Sequence, residues 1–138
     1  MDFNNTKPIY RQIIDYALAR VINGQWTPGA RIPSVREMAV ALAVNSHTVL
    51  KAFEFLEDCS MIYPRRGMGY YMADNALEIA QKIKRDEFYR TTLTETFASM
   101  EQLGIDISEV TDAYLQWRRN QSDANPSITD TGSDDLNT

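Results

Sequence analysis

Residues 33–51 have the sequence PSVREMAVALAVNSHTVLK, and this stretch decides the fold of the chain. Ser34 is followed three residues later by Glu37, the capping-box pattern that begins a helix, and apolar residues then recur at helical spacing. Asn45 or Ser46 can begin another helix after a short turn, with a buried stripe predicted at Val49, Ala52/Phe53 and Leu56. Two short helices joined by a tight turn, the second beginning with exposed polar residues, are typical of a helix-turn-helix.

The segments on either side of this stretch complete a larger domain. After Pro8, apolar residues recur in pairs one turn apart, which predicts a first helix. Residues 61–72 contain two β-favourable runs around a glycine-containing turn, which predicts a hairpin with Arg65 and Arg66 at its tip. Because a hairpin that follows a helix-turn-helix is a wing, residues 1–73 are predicted to form a winged helix-turn-helix domain.

Several motifs follow one another in order along this half of the chain. They are PIYRQI at residues 8–13, Gly24, PGARIPSVREMA at 28–39, VNSHTV at 44–49 and RGMG at 66–69. This ordered set resembles the GntR family of bacterial transcription regulators, and the resemblance covers residues 7–73, about half of the chain. It implies a winged helix-turn-helix that binds, as a homodimer, to a two-fold symmetric operator in double-stranded DNA.

The same resemblance assigns roles to three parts of the domain. Arg36 is implied to contact the DNA backbone and bases, the start of the third helix to enter the major groove, and the Arg-Gly of the wing to reach the minor groove. The residues implied to bind DNA are Ser34, Arg36, Asn45, Ser46, His47, Thr48, Lys51, Arg65, Arg66 and Gly67. Ala43, Ser46 and Tyr70 depart from the residues usual in the family, so the base preference of the chain cannot be copied from a relative.

Each of these side chains also has an ordinary structural interpretation. Arg36 could pair with a neighbouring acidic residue on its helix, and His47 could be a plain surface residue. Arg65 and Arg66 could be solubility charges on an exposed turn. The motif context favours DNA contact for these four residues, whereas Arg31, in the turn before the second helix, is equally open to a structural role.

The back half of the chain predicts a helical hairpin. Residues 75–103 lack proline and glycine and carry apolar residues at helical spacing, with an interruption at 85–87, and Gly104 ends this helix. Asp106 with Glu109 repeats the capping pattern and begins a second helix. Two helices cannot bury both of their apolar faces by themselves, so we expect a homodimer interface here. Its predicted residues are Leu93, Phe97, Met100, Leu103, Ile107, Val110, Tyr114 and Trp117.

This short back half resembles that of the YtrA-like subgroup of the GntR family, in which two helices serve for dimerisation. The predicted organisation is therefore a winged domain at 1–73, a helical dimerisation segment at 74–120 and a tail at 121–138. The tail is rich in Ser, Asp, Asn, Thr, Pro and Gly, which predicts disorder. The subgroup resemblance also implies a neighbouring ABC-transporter operon as the regulated target.

Composition excludes several other classes of protein. The net charge is −5, but residues 1–73 carry +2 and the remainder −7, so the acidic total does not describe the front domain. The chain contains one cysteine, one histidine and no signal-peptide pattern, so we expect a cytoplasmic location, no metal site and no cofactor. Nucleophile, phosphate-loop and zinc-protease motifs are absent from the sequence, which argues against an enzyme.

The sequence as a whole predicts a mainly α fold with a small β-hairpin, and two functional hypotheses remain. The first is a sequence-specific DNA-binding regulator that acts as a repressor and as a homodimer, without membrane association. The alternative is a winged-helix protein-interaction module that has lost DNA binding, which the acidic total motivates. A small-molecule effector stays unknown, because no convergent set of polar residues defines a pocket in the sequence.

Overall fold

Helices dominate the chain, as predicted, and a small hairpin interrupts them. The computed structural model describes residue 3 and residues 6–124. The chain divides into two compact units between Arg90 and Thr91. In order, the elements are α1 (Ile9–Ile22), α2 (Val35–Leu42), α3 (Ser46–Asp58), β1 (Ile62–Arg65), β2 (Gly69–Met72), α4 (Ala76–Glu87), a π-helical segment (Phe88–Thr92), α5 (Leu93–Leu103) and α6 (Ile107–Ala124).

Side-chain caps begin the two helices of the helix-turn-helix. The Ser34 hydroxyl accepts a hydrogen bond from the Glu37 amide at 3.0 Å, and the Glu37 carboxylate accepts one from the Ser34 amide at 3.4 Å, which confirms the capping box. Asn45, not Ser46, caps α3, because its side-chain oxygen accepts a hydrogen bond from the His47 amide at 2.8 Å. The turn between the helices contains Ala43 in the left-handed region, at φ 55°.

The hairpin is joined to the segment that precedes α2. β1 and β2 pair antiparallel, with Arg65 opposite Gly69 at the tip. On the other edge of β2, the Ile32 amide donates to the Tyr70 carbonyl at 3.0 Å, and the Met72 amide donates to the carbonyl of Ala30 at 2.9 Å. These hydrogen bonds hold the base of the hairpin against the rest of the first unit.

The core of the first unit lies among α1, α3 and the hairpin. The inward positions predicted for α3, including Val49, Phe53 and Leu56, are fully buried. The half-buried ring of Tyr70 meets Phe53 edge to face, with 5.2 Å between the ring centroids. This contact accommodates the large aromatic side chain of Tyr70 in β2.

α4 belongs to the core of the first unit. Ala76 and Ala80 are 1% and 0% exposed. The Asp15 carboxylate on α1 accepts hydrogen bonds from Lys84 on α4 at 2.9 Å and from Lys7 at 3.1 Å. Partial burial raises the pKa of Asp15, but the two lysines outweigh it and hold the pKa below its ordinary value. The predicted functional boundary at 73/74 remains a prediction, while the compact unit itself continues to Arg90.

The helical back half differs from its prediction in two places. The α-helix is interrupted later than the sequence predicts. α4 runs through residues 85–87, and the π-helical segment Phe88–Thr92 follows them. α6 continues to Ala124, four residues beyond the predicted helical segment that ended at 120, so residues 121–124 are not part of a tail. The predicted disorder of residues 125–138 falls outside the described residues.

The second unit contains α5 and α6. Gly104 ends α5 at φ 66°, a left-handed conformation that glycine adopts without a Cβ penalty. The Glu109 carboxylate then accepts a hydrogen bond from the Asp106 amide at 2.8 Å, so the predicted capping residues do meet at the start of α6. Among the described helices, none is long and apolar enough to cross a membrane.

Candidate nucleic-acid interface

The first turn of α2 presents a free cation. Arg36 is exposed, and within the described residues its side chain has neither an ion pair nor a hydrogen bond. Its neighbour Glu37 pairs instead with Arg31, at 3.1 Å. The ordinary interpretation of Arg36, an ion pair with an acid on its own helix, therefore does not hold in this structure. Its guanidinium is available to a ligand.

The first turn of α3 combines exposed polar side chains with a buried base. Asn45, Ser46 and His47 are exposed, whereas Thr48 is half-buried and the next residue, Val49, is fully buried. The side-chain oxygen of Asn45 is already used by the cap, which leaves its amide group as the donor that can face a ligand. The buried side chain of Val49 thus fixes the first turn of α3 to the core, while the outer surface of this turn remains exposed to solvent.

Lys51 is directed onto an aromatic ring of α1. Its ammonium lies 4.0 Å from the centroid of the Tyr10 ring, and the guanidinium of Arg11 lies 5.8 Å from the same centroid. Two cations therefore share one ring where α1 and α3 meet. Arg11 was not among the predicted DNA-binding residues, although it belongs to the PIYRQI motif that carried the resemblance.

The two arginines of the hairpin have different surroundings. The Arg65 guanidinium lies 4.4 Å from the ring centroid of Tyr71 and 5.8 Å from that of Tyr63, and these two rings stack on each other. Arg66 is exposed and has no ring, acid or hydrogen-bond partner among the described residues. Gly67 follows it at the tip. Arg65 is restrained against the hairpin, and Arg66 is the arginine free to extend from it.

Arg31, whose role the sequence left open, joins the hairpin to α2. Its Nε donates to the Met68 carbonyl at 3.1 Å and its Nη2 donates to the Glu37 carboxylate at 3.1 Å. The hydrogen bond from Arg31, followed by those from Ser34, holds the pKa of Glu37 below its ordinary value. No sequence signal identifies this link, because Met68 is 37 residues away and is contacted through its backbone.

The second unit leaves five of its eight predicted interface residues exposed and none of them buried. No residue of α5 or α6 is buried within the described chain. Leu103, Ile107 and Trp117 are 70%, 58% and 56% exposed. Phe97 and Tyr114 are also exposed, and the remaining three predicted residues, Leu93, Met100 and Val110, are half-buried.

The described residues contain no group of three or more His, Cys, Asp or Glu side chains that could hold a metal ion. What they do bring together is a capped helix-turn-helix, a β-hairpin joined to it, and unpaired arginines on both. This combination defines the class of the protein by its fold, a winged helix-turn-helix protein.

The family model described as bacterial regulatory proteins, gntR family, matches residues 9–72. The chain is 35% identical over 108 residues to the HTH-type transcriptional regulator YhcF of Bacillus subtilis, across 78% of this chain and 88% of that protein. It therefore belongs to the GntR family, as its sequence motifs predicted, and it is a transcription regulator with a DNA-binding helix-turn-helix rather than an enzyme.

Two further similarities concern the subgroup and the fold. The chain is 40% identical over 76 residues to the HTH-type transcriptional repressor YtrA of Bacillus subtilis, covering 55% of this chain and 58% of that protein. A solved GntR family transcriptional regulator from Listeria monocytogenes matches with a TM-score of 0.67 and 34% identity, over 83% of this chain and 97% of that one. The predicted winged-helix fold and the resemblance to YtrA-like regulators are thereby confirmed.

Proposed function

We propose that this chain acts as a homodimer that binds a two-fold symmetric operator in double-stranded DNA and represses transcription. The observation that carries the proposal is the unpaired guanidinium of Arg36 in the first turn of a capped helix. An exposed arginine fixed by a rigid helix can bind a phosphate or a base edge without first breaking an ion pair. The exposed polar turn of α3 and the free Arg66 support the same interpretation.

The second unit supports the proposal of a homodimer. Burying a large apolar side chain contributes about 1.5–3 kcal/mol, so an uncovered set of this kind favours association. An identical chain can cover both apolar faces symmetrically, as an isologous two-fold interface does. The proposed interface consists of the eight predicted residues, Leu93, Phe97, Met100, Leu103, Ile107, Val110, Tyr114 and Trp117.

Similarity to named relatives supports the direction of regulation. The relative YtrA is named a transcriptional repressor, and repression is accordingly the regulation we propose here. The resemblance to the YtrA-like subgroup extends the proposal to an ABC-transporter operon next to the gene for this chain. A reporter fused to the upstream region of that operon should become more active when the gene is deleted.

Direct binding tests the function. Fluorescence anisotropy with a labelled DNA duplex from the region upstream of the chain's own gene should show binding that depends on the sequence of the duplex. A dimer that contacts six to eight phosphates should show a log–log salt slope of about −6. Arg36→Ala should weaken binding by about 1–3 kcal/mol without changing the thermal midpoint. Lys82→Ala, which removes the same charge from an exposed position on α4, serves as the matched control and should bind normally.

The alternative function, a winged-helix module for protein interaction, makes the opposite prediction. It expects either a log–log salt slope near zero or equal affinity for every duplex sequence. A thermal midpoint that falls in Arg36→Ala would assign this arginine a structural role. Substitution of His47 or Lys51 should instead change which bases are preferred, since these side chains belong to the proposed recognition helix.

A further inference from the structure

We propose that Arg31 is a positioning residue that holds the wing in the orientation in which Arg66 reaches DNA. The inference rests on the proposed DNA-binding function and adds a residue that does not itself bind the duplex. Arg31 lies before α2, and two of its nitrogens donate hydrogen bonds in different directions, to the Met68 carbonyl and to the Glu37 carboxylate. One planar side chain thus joins the turn of the wing to the helix that carries Arg36.

Both ends of this link are themselves fixed. Glu37 is held by the capping box, since its carboxylate also accepts the Ser34 amide and its own amide donates to the Ser34 hydroxyl. At the other end, the Met68 amide donates to the Arg65 carbonyl at 2.9 Å and closes the turn of the hairpin. The guanidinium group therefore connects two rigid segments rather than two mobile side chains.

Gly69 provides independent evidence that the wing is fitted to Arg31. A Cβ atom at this position would lie 3.3 Å from Arg31 Nε, closer than most Cβ contacts, and 3.5 Å from its Nη2, an ordinary van der Waals contact. The residue also has a φ of +91°, a backbone conformation that residues with a side chain rarely adopt. The backbone of β2 can approach the guanidinium this closely because residue 69 lacks a side chain.

The position of the link explains why it would matter for binding. The hydrogen bonds of Ile32 and Met72 hold the base of the wing. Arg31 acts nearer the tip, where Arg66 and Gly67 lie. Arg36 and Arg66 can engage one duplex together only when the wing keeps a defined distance from α2, and a wing that moves freely loses affinity through the cost of ordering it.

The solvent exposure of the Arg31–Glu37 ion pair indicates that Arg31 positions the wing rather than stabilises the fold. The side chains of Arg31 and Glu37 are 47% and 56% exposed. Exposed ion pairs contribute little to stability because water screens them. Loss of Arg31 should therefore change the orientation of the wing more than it changes the stability of the domain.

A double-mutant cycle on the full-length chain tests the proposal. Arg31→Met keeps the apolar stem and removes both donors, and it should weaken operator binding about tenfold. Arg66→Ala should cost about tenfold in the parent chain but less than about threefold in Arg31→Met, because a displaced wing no longer presents Arg66. Arg36→Ala is the control, and its cost should be the same in both backgrounds since α2 does not move.

Arg31→Lys distinguishes positioning from a direct contact with phosphate. Lysine retains the charge but not the fork that reaches two acceptors, so operator binding by Arg31→Lys should stay as weak as that of Arg31→Met. Recovery of full affinity in Arg31→Lys, or an unchanged cost of Arg66→Ala in Arg31→Met, overturns the inference while leaving the proposed function intact. Failure of the parent chain to bind its operator removes the proposed function and this inference with it.

Discussion

At the scale of single residues, the wing arginines differ in what surrounds them although they are adjacent in sequence. Arg65 lies against the stacked rings of Tyr63 and Tyr71, whereas Arg66 has no partner among the described residues. A sequence alone ranks the two equally, because both follow Pro64 in the same turn. The structure favours Arg66 as the DNA contact and Arg65 as a support for the hairpin.

Substitution of each arginine should separate these roles. Arg66→Ala should weaken operator binding by about 1–3 kcal/mol and leave the thermal midpoint unchanged. Arg65→Ala should lower stability by about 0.5–1 kcal/mol, the usual contribution of an exposed cation–π contact, with a smaller loss of binding. Titration by anisotropy and thermal melts of both variants measure the two effects. Equal binding losses in the two variants would contradict this division of roles.

A second residue-scale prediction concerns the turn of the helix-turn-helix. Ala43 has φ 55°, a conformation in which the Cβ atom costs energy. Ala43→Gly should therefore stabilise the chain by up to about 1 kcal/mol, even though glycine gains entropy in the unfolded state. Chemical denaturation measures the change. Ala41→Gly is the control, since this exposed residue lies within α2 and the same substitution should destabilise it by about 1 kcal/mol.

At the scale of elements, one ionic group links α1 to α4. Asp15 accepts hydrogen bonds from Lys84 and Lys7, and Glu87 lies 3.6 Å and 3.7 Å from the same two lysines. All four side chains are one-third to one-half exposed, so the Coulomb attraction is partly screened. The link supplements the burial of Ala76 and Ala80 in fixing α4 to the first unit.

The pH dependence of stability should reveal this link. Because the pKa of Asp15 is lower in the folded chain than in the unfolded chain, its stabilising effect is complete at neutral pH. That effect is lost as the pH falls below about 4 towards the folded pKa. Asp15→Asn should cost about 0.5–1.5 kcal/mol at pH 7, and the difference from the parent should shrink below pH 4. Asp74→Asn makes the same substitution at an exposed position in the same unit, leaves the Asp15 hydrogen bonds intact and serves as the matched control.

At the scale of the whole molecule, the division between Arg90 and Thr91 determines where the chain can be cut. A chain that ends at Arg90 retains α4 and its ionic contacts, and it lacks α5 and α6, which carry the proposed dimer interface. We expect this truncated chain to be a folded monomer. In a dimer, binding of one winged domain to its half-site makes binding of the second domain effectively intramolecular. The truncated monomer lacks this advantage and should bind a full operator about a hundredfold more weakly.

Light scattering and operator titration measure both consequences of the truncation. A chain that ends at Asp74 is an informative control. It lacks Ala76 and Ala80, which are buried in the core of the first unit, and should be markedly less stable than the chain that ends at Arg90. If the chain that ends at Arg90 remains dimeric and binds at full strength, the proposed interface on α5 and α6 is wrong.

The sequence by itself determined the features that depend on neighbours within about one helical turn. The capping box of Ser34 and Glu37, the buried stripe of α3 and the glycine at the end of α5 all involve such short spacings, and the structure contains each of them. Short spacings leave few alternative geometries, so the residue types indicate the outcome. The ordered family motifs then identified the winged domain that these elements form.

Only the tertiary structure decided the contacts that span long separations. Lys84 meets Asp15 across 69 residues, and Arg31 meets the Met68 carbonyl across 37. Such partners depend on how the helices pack and on backbone acceptors, which carry no residue-specific signal. The same reason explains the membership of α4 in the first unit. Local patterns specify helices, whereas packing determines which side chains remain free to bind.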